Sequence, residues 1–173
     1  MADSAITKKA LAGALKQLMP EKPFSKISIS DICDLCGMNR KSFYYHFQDK
    51  YDLINRIFDS EFVDYAQSVN DTPTVLKLLC GYLYTNREFY KRAFRIVGQN
   101  SLHSHFCDVV NDYVTRKISA DTENALSEMH VRFITDGFVC EIERWVVERD
   151  CDSPDEFCRL ISSVCAAQRE KMN

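Results

Sequence analysis

Residues 28–53 read SISDICDLCGMNRKSFYYHFQDKYDL, and this stretch decides the fold of the chain. Its apolar residues recur at helical spacing on both sides of Gly37, which stands where a helix C-cap needs a left-handed backbone. Ser28, Asn39 and Asp49 each precede an apolar run and are suited to cap a helix N-terminus. The stretch therefore predicts two short helices joined by a glycine turn and followed by a third, which is the pattern of a helix-turn-helix.

The same stretch resembles the DNA-binding segment of TetR-type transcriptional regulators, whose pattern reads roughly IxxIAxxAGVSxGTxYxHFxxKxxL. The matching residues follow one another without a gap: Ile29, Ile32, Gly37, Tyr44, His46, Phe47, Lys50 and Leu53. Conservative replacements stand at Asn39 and Ser42, and Cys33 and Cys36 occupy positions where the family has small residues. Lys41 departs from the pattern, since a glycine is common there, and it adds positive charge to the side expected to face DNA.

The resemblance implies an all-α fold of about nine helices. Residues 1–48 would form a homeodomain-like, three-helix DNA-binding head, and residues 49–173 a helical body for effector binding and dimerisation. The rest of the sequence agrees with this expectation, because apolar residues keep a helical period throughout and no run alternates like a strand. The body helices are predicted at about 50–69, 72–85, 87–97, 101–118, 122–149 and 154–171, after a first helix at about 4–19.

The second helix of a helix-turn-helix enters the major groove, so its residues are the candidates for DNA contacts. The candidate set is Ser28, Asn39, Arg40, Lys41, Ser42, Tyr44, Tyr45, His46 and Lys50. Arg40 and Lys41 are expected to reach guanine O6/N7 or a phosphate. Tyr44 and Lys50 match the family's phosphate contacts, and Lys50 is expected to act through phosphate alone. For His46, a phosphate contact and a structural hydrogen bond are equally open.

The charge distribution agrees with DNA binding at one end of the molecule. The 173 residues carry a net charge of −3, but residues 1–52 carry +2 and the remainder −5. The scattered spacing of the eight cysteines and the lack of an export or membrane segment indicate a protein of the reducing bacterial cytoplasm, associated with the nucleoid when bound to DNA.

The last two helices are predicted to form a homodimer interface, as in the TetR family. The expected interface residues are Gly137, Phe138, Phe157, Leu160, Ile161 and Val164. The alternative is that both helices only complete the core of a monomer.

An effector pocket is predicted among aromatic residues of the body, which are Tyr82, Phe94, Phe106, Phe133 and Trp145. Plain core packing is the competing interpretation for each of these rings.

No cofactor or metal is predicted. Cys33 and Cys36 have redox or zinc spacing but lie on an apolar helix face, and His103, His105 and Cys107 alternate along a predicted helix.

The favoured function is a dimeric regulator that binds double-stranded operator DNA. It would act as a repressor, and a small-molecule effector would release it from a palindromic operator. The alternative is a partner-dependent activator, because YLYTNREFYKRAF (residues 82–94) resembles the dihydroxyacetone kinase regulators. An enzyme is the least supported class, since no catalytic motif is present.

Overall fold

The computed structural model describes residues 2–69, 71–98, 100–119 and 128–172, and within these ranges the chain is helical, as the sequence predicts. The helices are α1 (Ala2–Glu21), α2 (Ile29–Leu35), α3 (Arg40–His46), α4 (Lys50–Phe58), α5 (Thr72–Thr85), α6 (Arg87–Ala93), α7 (Leu102–Ser119), α8 (Glu128–Val147) and α9 (Pro154–Met172). Between α4 and α5 the helical path continues through a π-helical segment, Asp59–Val63, and a short turn of helix, Asp64–Ala66. None of the helices in the described part of the chain is long and apolar enough to cross a membrane.

Several helix ends differ from the sequence prediction. Helix α1 continues through Pro20 to Glu21, because a proline in the last turn removes only one hydrogen bond from the helix. Helix α5 begins at the expected Thr72, but its N-cap is Asp71, whose carboxylate accepts from the Thr74 N–H at 2.9 Å. Helix α6 ends at Ala93 rather than at Val97. The predicted start of the eighth helix, at Thr122, lies outside the described residues.

The π-helical segment is a feature that no sequence signal predicted. A π-helical turn holds one residue more than an α-helical turn, so it rotates the side chains that follow it. In this segment Phe62 is buried against Phe58 with stacked rings, while Glu61 points away from the core. The segment therefore places an aromatic side chain inside and a carboxylate outside at the junction of the head and the body.

The core of the body is built from aromatic rings contributed by α4, α5, α6 and α7. Phe58 lies at its centre, with Tyr82, Tyr90 and Phe106 packed around it at ring-centroid distances of 5.4–6.4 Å. Edge-on and tilted ring pairs of this kind stabilise a core beyond the area they bury. The helices enclose this cluster through packing of α7 against both α4 and α8, and of α1 against α6.

The C-terminal helix closes the other side of the body. Helix α9 packs against α5, and its Phe157 ring stacks on Trp145 of α8 at 4.6 Å. The predicted capping box at its start is present: the Ser153 hydroxyl accepts from the Glu156 N–H at 3.3 Å, and the Glu156 carboxylate accepts from the Ser153 N–H at 3.1 Å. The start of α9 is thereby fixed against the end of α8.

Candidate nucleic-acid interface

The N-terminus of α2 is held by a complete capping box. The Asp31 N–H donates to the Ser28 hydroxyl at 3.1 Å, and the Ser28 N–H donates to the Asp31 carboxylate at 2.6 Å. Lys22 forms an ion pair with the same carboxylate at 2.9 Å. The hydrogen bonds from Lys22 and Ser28 hold the pKa of Asp31 well below its usual range. The carboxylate of Asp31 therefore ties the end of α1 to the start of α2.

The turn between α2 and α3 depends on Gly37. Its φ of +68° is a left-handed conformation that side chains with a Cβ rarely adopt. The Met38 N–H donates back to the Cys33 carbonyl at 2.9 Å, and the same carbonyl accepts from the Cys36 N–H at 3.2 Å, so both bonds close the end of α2. The turn sets the angle at which α3 leaves α2.

Helix α3 is capped at its start and anchored by two phenylalanines. The Asn39 side-chain oxygen accepts from the Ser42 N–H at 2.8 Å, as the sequence predicts for an N-cap. Phe43 and Phe47 are buried one turn apart, with ring centroids 5.6 Å from each other. These two rings fix the rotation of α3 about its own axis, and so they decide which residues it presents to solvent.

The solvent-exposed face of α3 carries two basic and two aromatic side chains. Arg40 and Lys41 are exposed in the first turn, Tyr44 is 51% exposed and Tyr45 is 82% exposed. The Arg40 guanidinium lies over the Tyr44 ring, 6.0 Å from its centroid, and reaches the Tyr44 hydroxyl at 3.5 Å. Tyr44 and Tyr45 are neighbours on one helix face, and contiguous exposed apolar surface is typical of interaction sites. Together, these four residues can offer positive charge, hydroxyl groups and ring faces to a groove of DNA.

Other members of the predicted contact set are already engaged within the head. Ser28 donates its hydroxyl to Asp31 at 2.7 Å, and Ser42 donates its hydroxyl to Asn39 at 3.2 Å. His46 is half-buried and packs edge-on against Tyr45, with a centroid distance of 4.8 Å. The contacts of these residues with DNA remain predictions. To bind DNA, the two serines would have to share or exchange their present hydrogen bonds, and His46 would have to reach past Tyr45.

Lys50 does not have the free ammonium that the sequence led us to expect. Its Nζ donates to the backbone oxygens of Phe24 at 2.7 Å and Ile27 at 2.8 Å, and it lies 4.3 Å from the centre of the Phe24 ring. Burial lowers the pKa of Lys50. The contact of Lys50 with phosphate stays a prediction, and the ammonium has a second role, because it holds the segment before α2. Sequence reasoning missed these contacts because both acceptors are backbone groups more than 20 residues away.

A second contact that the sequence did not reveal connects α1 with the body. Lys16 forms an ion pair with Glu61 of the π-helical segment, and its Nζ also donates to the Asn86 side chain at 3.2 Å. Glu61 in turn accepts from the Tyr82 hydroxyl at 2.9 Å, and the Tyr82 and Tyr90 hydroxyls are hydrogen-bonded to each other. A chain of polar contacts thus runs from the head to the aromatic core of the body.

The five aromatic residues predicted to line an effector pocket lie in three different places in the body. Tyr82, Phe94 and Phe106 belong to the aromatic core, where they pack against other rings. Trp145 is buried elsewhere, against α9, and its Nε1 donates to the Asp152 carbonyl at 2.9 Å. Phe133 is 75% exposed on α8. A cleft of about 560 Å³ lies between α5 and α9, and it is lined instead by Lys77, Asp155, Cys158, Arg159 and Ser162.

The six predicted dimer residues differ in how far the single chain buries them, and they fall into three groups. Gly137, Leu160 and Val164 are exposed on α8 and α9. Phe138 and Ile161 are half-buried against the core. The Phe157 ring is buried against Trp145 within the same chain, so little of its surface is left for a second copy to cover.

Two exposed residues that the sequence did not assign to the dimer extend the apolar face of α8. Met129 and Phe133 precede Gly137 at intervals of one helical turn, and both are more than two-thirds exposed. Helix α8 therefore presents a solvent-facing apolar stripe that the described part of the chain leaves exposed.

Cys33 and Cys36 are core residues in spite of their spacing. Cys33 is buried, and burial raises the pKa of its thiol. The Cys36 thiol donates to the Ile32 carbonyl at 3.2 Å, within the same helix. Both side chains fill the space between α2 and its neighbours, where the TetR pattern has small residues.

Two family models match the chain in succession. The model described as "Bacterial regulatory proteins, tetR family" matches residues 11–57, and the model described as "Transcriptional regulator C-terminal region" matches residues 70–166. The chain is also 32% identical over 146 residues to the HTH-type dhaKLM operon transcriptional activator DhaS of Lactococcus lactis subsp. lactis (strain IL1403), covering 81% of this chain and 74% of that protein.

Similar solved structures include an activator and a repressor. The dihydroxyacetone kinase operon activator DhaS superposes with a TM-score of 0.71 and 24% identity, covering 95% of this chain and 96% of that one. NalD, the secondary repressor of the MexAB-OprM multidrug efflux pump in Pseudomonas aeruginosa, superposes with a TM-score of 0.58 and 18% identity. The superposition covers 91% of this chain and 92% of that one. At these identities the structural likeness establishes the fold.

Proposed function

The chain belongs to the TetR family of transcriptional regulators, and we propose that it binds a palindromic operator as a homodimer. Its family consists of regulators rather than enzymes. We assign DNA binding to residues 1–48, with α3 in the major groove, and effector binding and dimerisation to residues 49–173. We further propose that the protein acts in the bacterial cytoplasm and is associated with the nucleoid when bound to its operator.

The observation that carries the proposal is the exposed face of α3. Arg40 and Lys41 lie in the first turn of the helix, where a recognition helix meets base edges, and both side chains are exposed. Tyr44 and Tyr45 extend this face by one turn, with hydroxyl groups that can donate to phosphate. Phe43 and Phe47 are buried on the opposite face of α3, so they fix the orientation of the helix and of its four exposed side chains.

The exposed apolar residues of α8 and α9 support the homodimer. Met129 and Phe133 on α8, and Leu160 and Val164 on α9, are all more than half exposed. Burying such side chains against a second copy releases apolar surface from water, at about 25 cal/mol for each Å² buried. A two-fold interface of this kind also explains why a single chain would read a palindrome, since each protomer supplies one α3.

We propose that the contacts of Lys16 couple the body to the head. Lys16 lies on α1, which packs against α2, while its partner Glu61 is hydrogen-bonded to Tyr82 of α5. An effector that moves α5 relative to α4 would therefore change the support of α1 and the separation of the two α3 helices. Such an effector shifts operator binding only by its difference in affinity for the two arrangements.

For the direction of regulation we propose a repressor that a small-molecule effector releases from the operator. The second candidate is an activator that works with a protein coregulator. This candidate is suggested by the similarity to DhaS, an operon activator, and it is compatible with the close packing of Phe58, Phe106, Tyr82 and Tyr90 in the body. A change of operator affinity on adding a small molecule alone would support the repressor, and a change that requires a second protein would support the activator.

The proposal is tested by selecting bound sequences from a random DNA library with the purified full-length protein. We expect enrichment of an inverted repeat whose half-sites are separated by about one helical turn, or a multiple of it. The Arg40→Ala, Lys41→Ala double variant serves as the matched control and should enrich no motif. Equal recovery of all sequences by the wild-type protein would refute operator binding.

A further inference from the structure

Three reactive side chains meet on the surface of the body, away from the proposed DNA interface. His103 and Cys107 lie one turn apart on α7, and the Cys107 sulfur is 3.7 Å from His103 Nε2. Glu143 on α8 lies on the other side of the ring, with its Oε1 2.8 Å from His103 Nδ1. The structure thus orders a thiol, an imidazole and a carboxylate in one line of hydrogen bonds.

The carboxylate fixes the tautomer of the imidazole. A carboxylate only accepts hydrogen bonds, so Nδ1 carries the proton that His103 donates to Glu143. The lone pair of Nε2 is then directed at the Cys107 thiol. A general base held in this way by a third group is the arrangement that activates a nucleophile in proteins. The Glu143 side chain is only 20% exposed, which keeps it from swinging into solvent.

We propose that Cys107, His103 and Glu143 form a nucleophilic site that binds neutral carbon electrophiles, such as α,β-unsaturated carbonyl compounds, as covalent adducts. Nε2 of His103 takes the thiol proton as the Cys107 sulfur bonds to the β-carbon of the electrophile. The electron pair of the carbon–carbon double bond moves to form an enolate. The imidazolium then returns its proton to the α-carbon, so the addition needs no oxidant, reductant or further reactant.

The charges around the thiol decide which electrophiles are accepted. Burial raises the pKa of Cys107, and the carboxylates of Asp136 and Glu143 on α8 and Asp108 on α7 raise it further. The resting sulfur is therefore a thiol that needs the base at the moment of attack. The same carboxylates repel an anionic electrophile. Asp59, at the start of the π-helical segment, also faces α7 but is paired with His105 at 2.6 Å.

Small reagents can reach the site from solvent. The His103 side chain is 52% exposed, and Cys107 is half-buried at the margin of the core rather than fully enclosed by it. By contrast, Cys33, Cys80 and Cys158 are buried. The proposal does not rest on the regulatory function or on DNA binding, because the chemistry requires only these three side chains.

The first test measures how fast iodoacetamide alkylates Cys107 in the full-length protein, by peptide mass spectrometry, between about pH 6 and pH 9. With His103 as the base, the rate in the wild-type protein should rise less steeply with pH than that of a free thiol, because the thiol proton passes to the imidazole. In His103→Gln, the rate at pH 7.5 should fall at least about tenfold and then rise with every further pH unit. His105→Gln is the matched control, since it removes a histidine two residues away that contacts Asp59 instead. Equal rates in wild type and His103→Gln at every pH would overturn the proposal.

The second test compares iodoacetamide with iodoacetate, which has a similar size and one negative charge. We expect Cys107 to react faster with the neutral reagent, and Asp136→Asn to lower that preference by about twofold or more. Circular dichroism and thermal melting establish that each variant remains folded. A preference for iodoacetate at Cys107, or no response to Asp136→Asn, would contradict the assigned charge selectivity.

Discussion

The ammonium of Lys50 lies 2.7 Å from the backbone oxygen of Phe24 and 4.3 Å from the centre of the Phe24 ring. Lys50 is the first residue of α4, whereas Phe24 precedes α2, so this contact joins the two ends of the helix-turn-helix. A cation over an aromatic face that also donates to carbonyls is held by several weak interactions at once. One side chain thereby fixes the segment that leads into α2 relative to the helix that leads into the body.

Lys50→Met should destabilise the free protein even when no DNA is present. The substitution removes the donors to the Phe24 and Ile27 carbonyls, and we expect a loss of about 1–2 kcal/mol in the free energy of unfolding. Urea denaturation of the purified protein measures this. Lys41→Met, at an exposed lysine of α3, is the control and should change stability by less than about 0.5 kcal/mol. A lysine that acted only on phosphate would leave the stability of the free protein unchanged.

Arg40→Ala and Lys41→Ala should separate base recognition from general attraction to DNA. At least one of the two is expected to cost about 1–3 kcal/mol on the selected operator and less on random DNA, because a lost base contact relaxes specificity at one position in each half-site. Fluorescence anisotropy at fixed salt measures both affinities. Arg132→Ala, at an exposed arginine of α8, should leave both unchanged. If neither head variant altered the ratio of the two affinities, α3 would not read bases.

The local structure of the head was predictable from sequence, because its signals are short-range. The caps at Ser28, Asn39 and Asp49 and the turn at Gly37 depend on neighbours within four residues, and each is present in the structure. The buried anchors of α3 also follow from helical spacing. The mistaken boundary at Pro20 shows that a proline near a helix end is a weaker stop signal than one in the middle.

Contacts between distant parts of the chain were not predictable in the same way. The partners of Lys50 are backbone oxygens, and the partner of Lys16 is Glu61, 45 residues away. Nothing in local periodicity separates a ring that fills the core, as Phe106 does, from one exposed to solvent, as Phe133 is. Phe157 was assigned to the dimer for the same reason: its helix stripe marks it as apolar but does not say whether the same chain or a second copy covers it.

The capping box at Asp31 predicts how the stability of the head depends on pH. The folded pKa of Asp31 is lowered by Lys22 and Ser28, so its contribution is complete above the unfolded pKa of about 4 and is lost as the pH falls towards the folded value. Asp31→Asn should therefore lower the melting temperature at pH 7, and the difference from wild type should shrink below about pH 4. Asp34→Asn, on the exposed side of the same helix, is the control. A difference that stayed constant down to pH 2 would contradict this role.

Phe133→Glu should disrupt the homodimer without unfolding the protomer. Phe133 is 75% exposed in the single chain, so a charge there costs little in the monomer but is strongly unfavourable in an apolar interface. Sedimentation equilibrium should show a shift from dimer to monomer, with a dissociation constant raised at least about tenfold. Val97→Glu is the control, because Val97 is 92% exposed and lies outside α8 and α9. A wild-type protein that sediments as a 20.0 kDa monomer at micromolar concentration would refute the dimer itself.

The central claim is that two α3 helices read one palindrome together. It is tested most directly by measuring the affinity for the selected operator after the distance between its half-sites has been changed. Inserting about 5 base pairs at the centre turns the half-sites to opposite faces of the duplex, since one helical turn is about 10–10.5 base pairs. We predict that the wild-type protein then binds no more tightly than to random DNA. If the insertion left the affinity unchanged, the two half-sites would not be bound together, and the account of a dimeric operator-binding regulator would be contradicted.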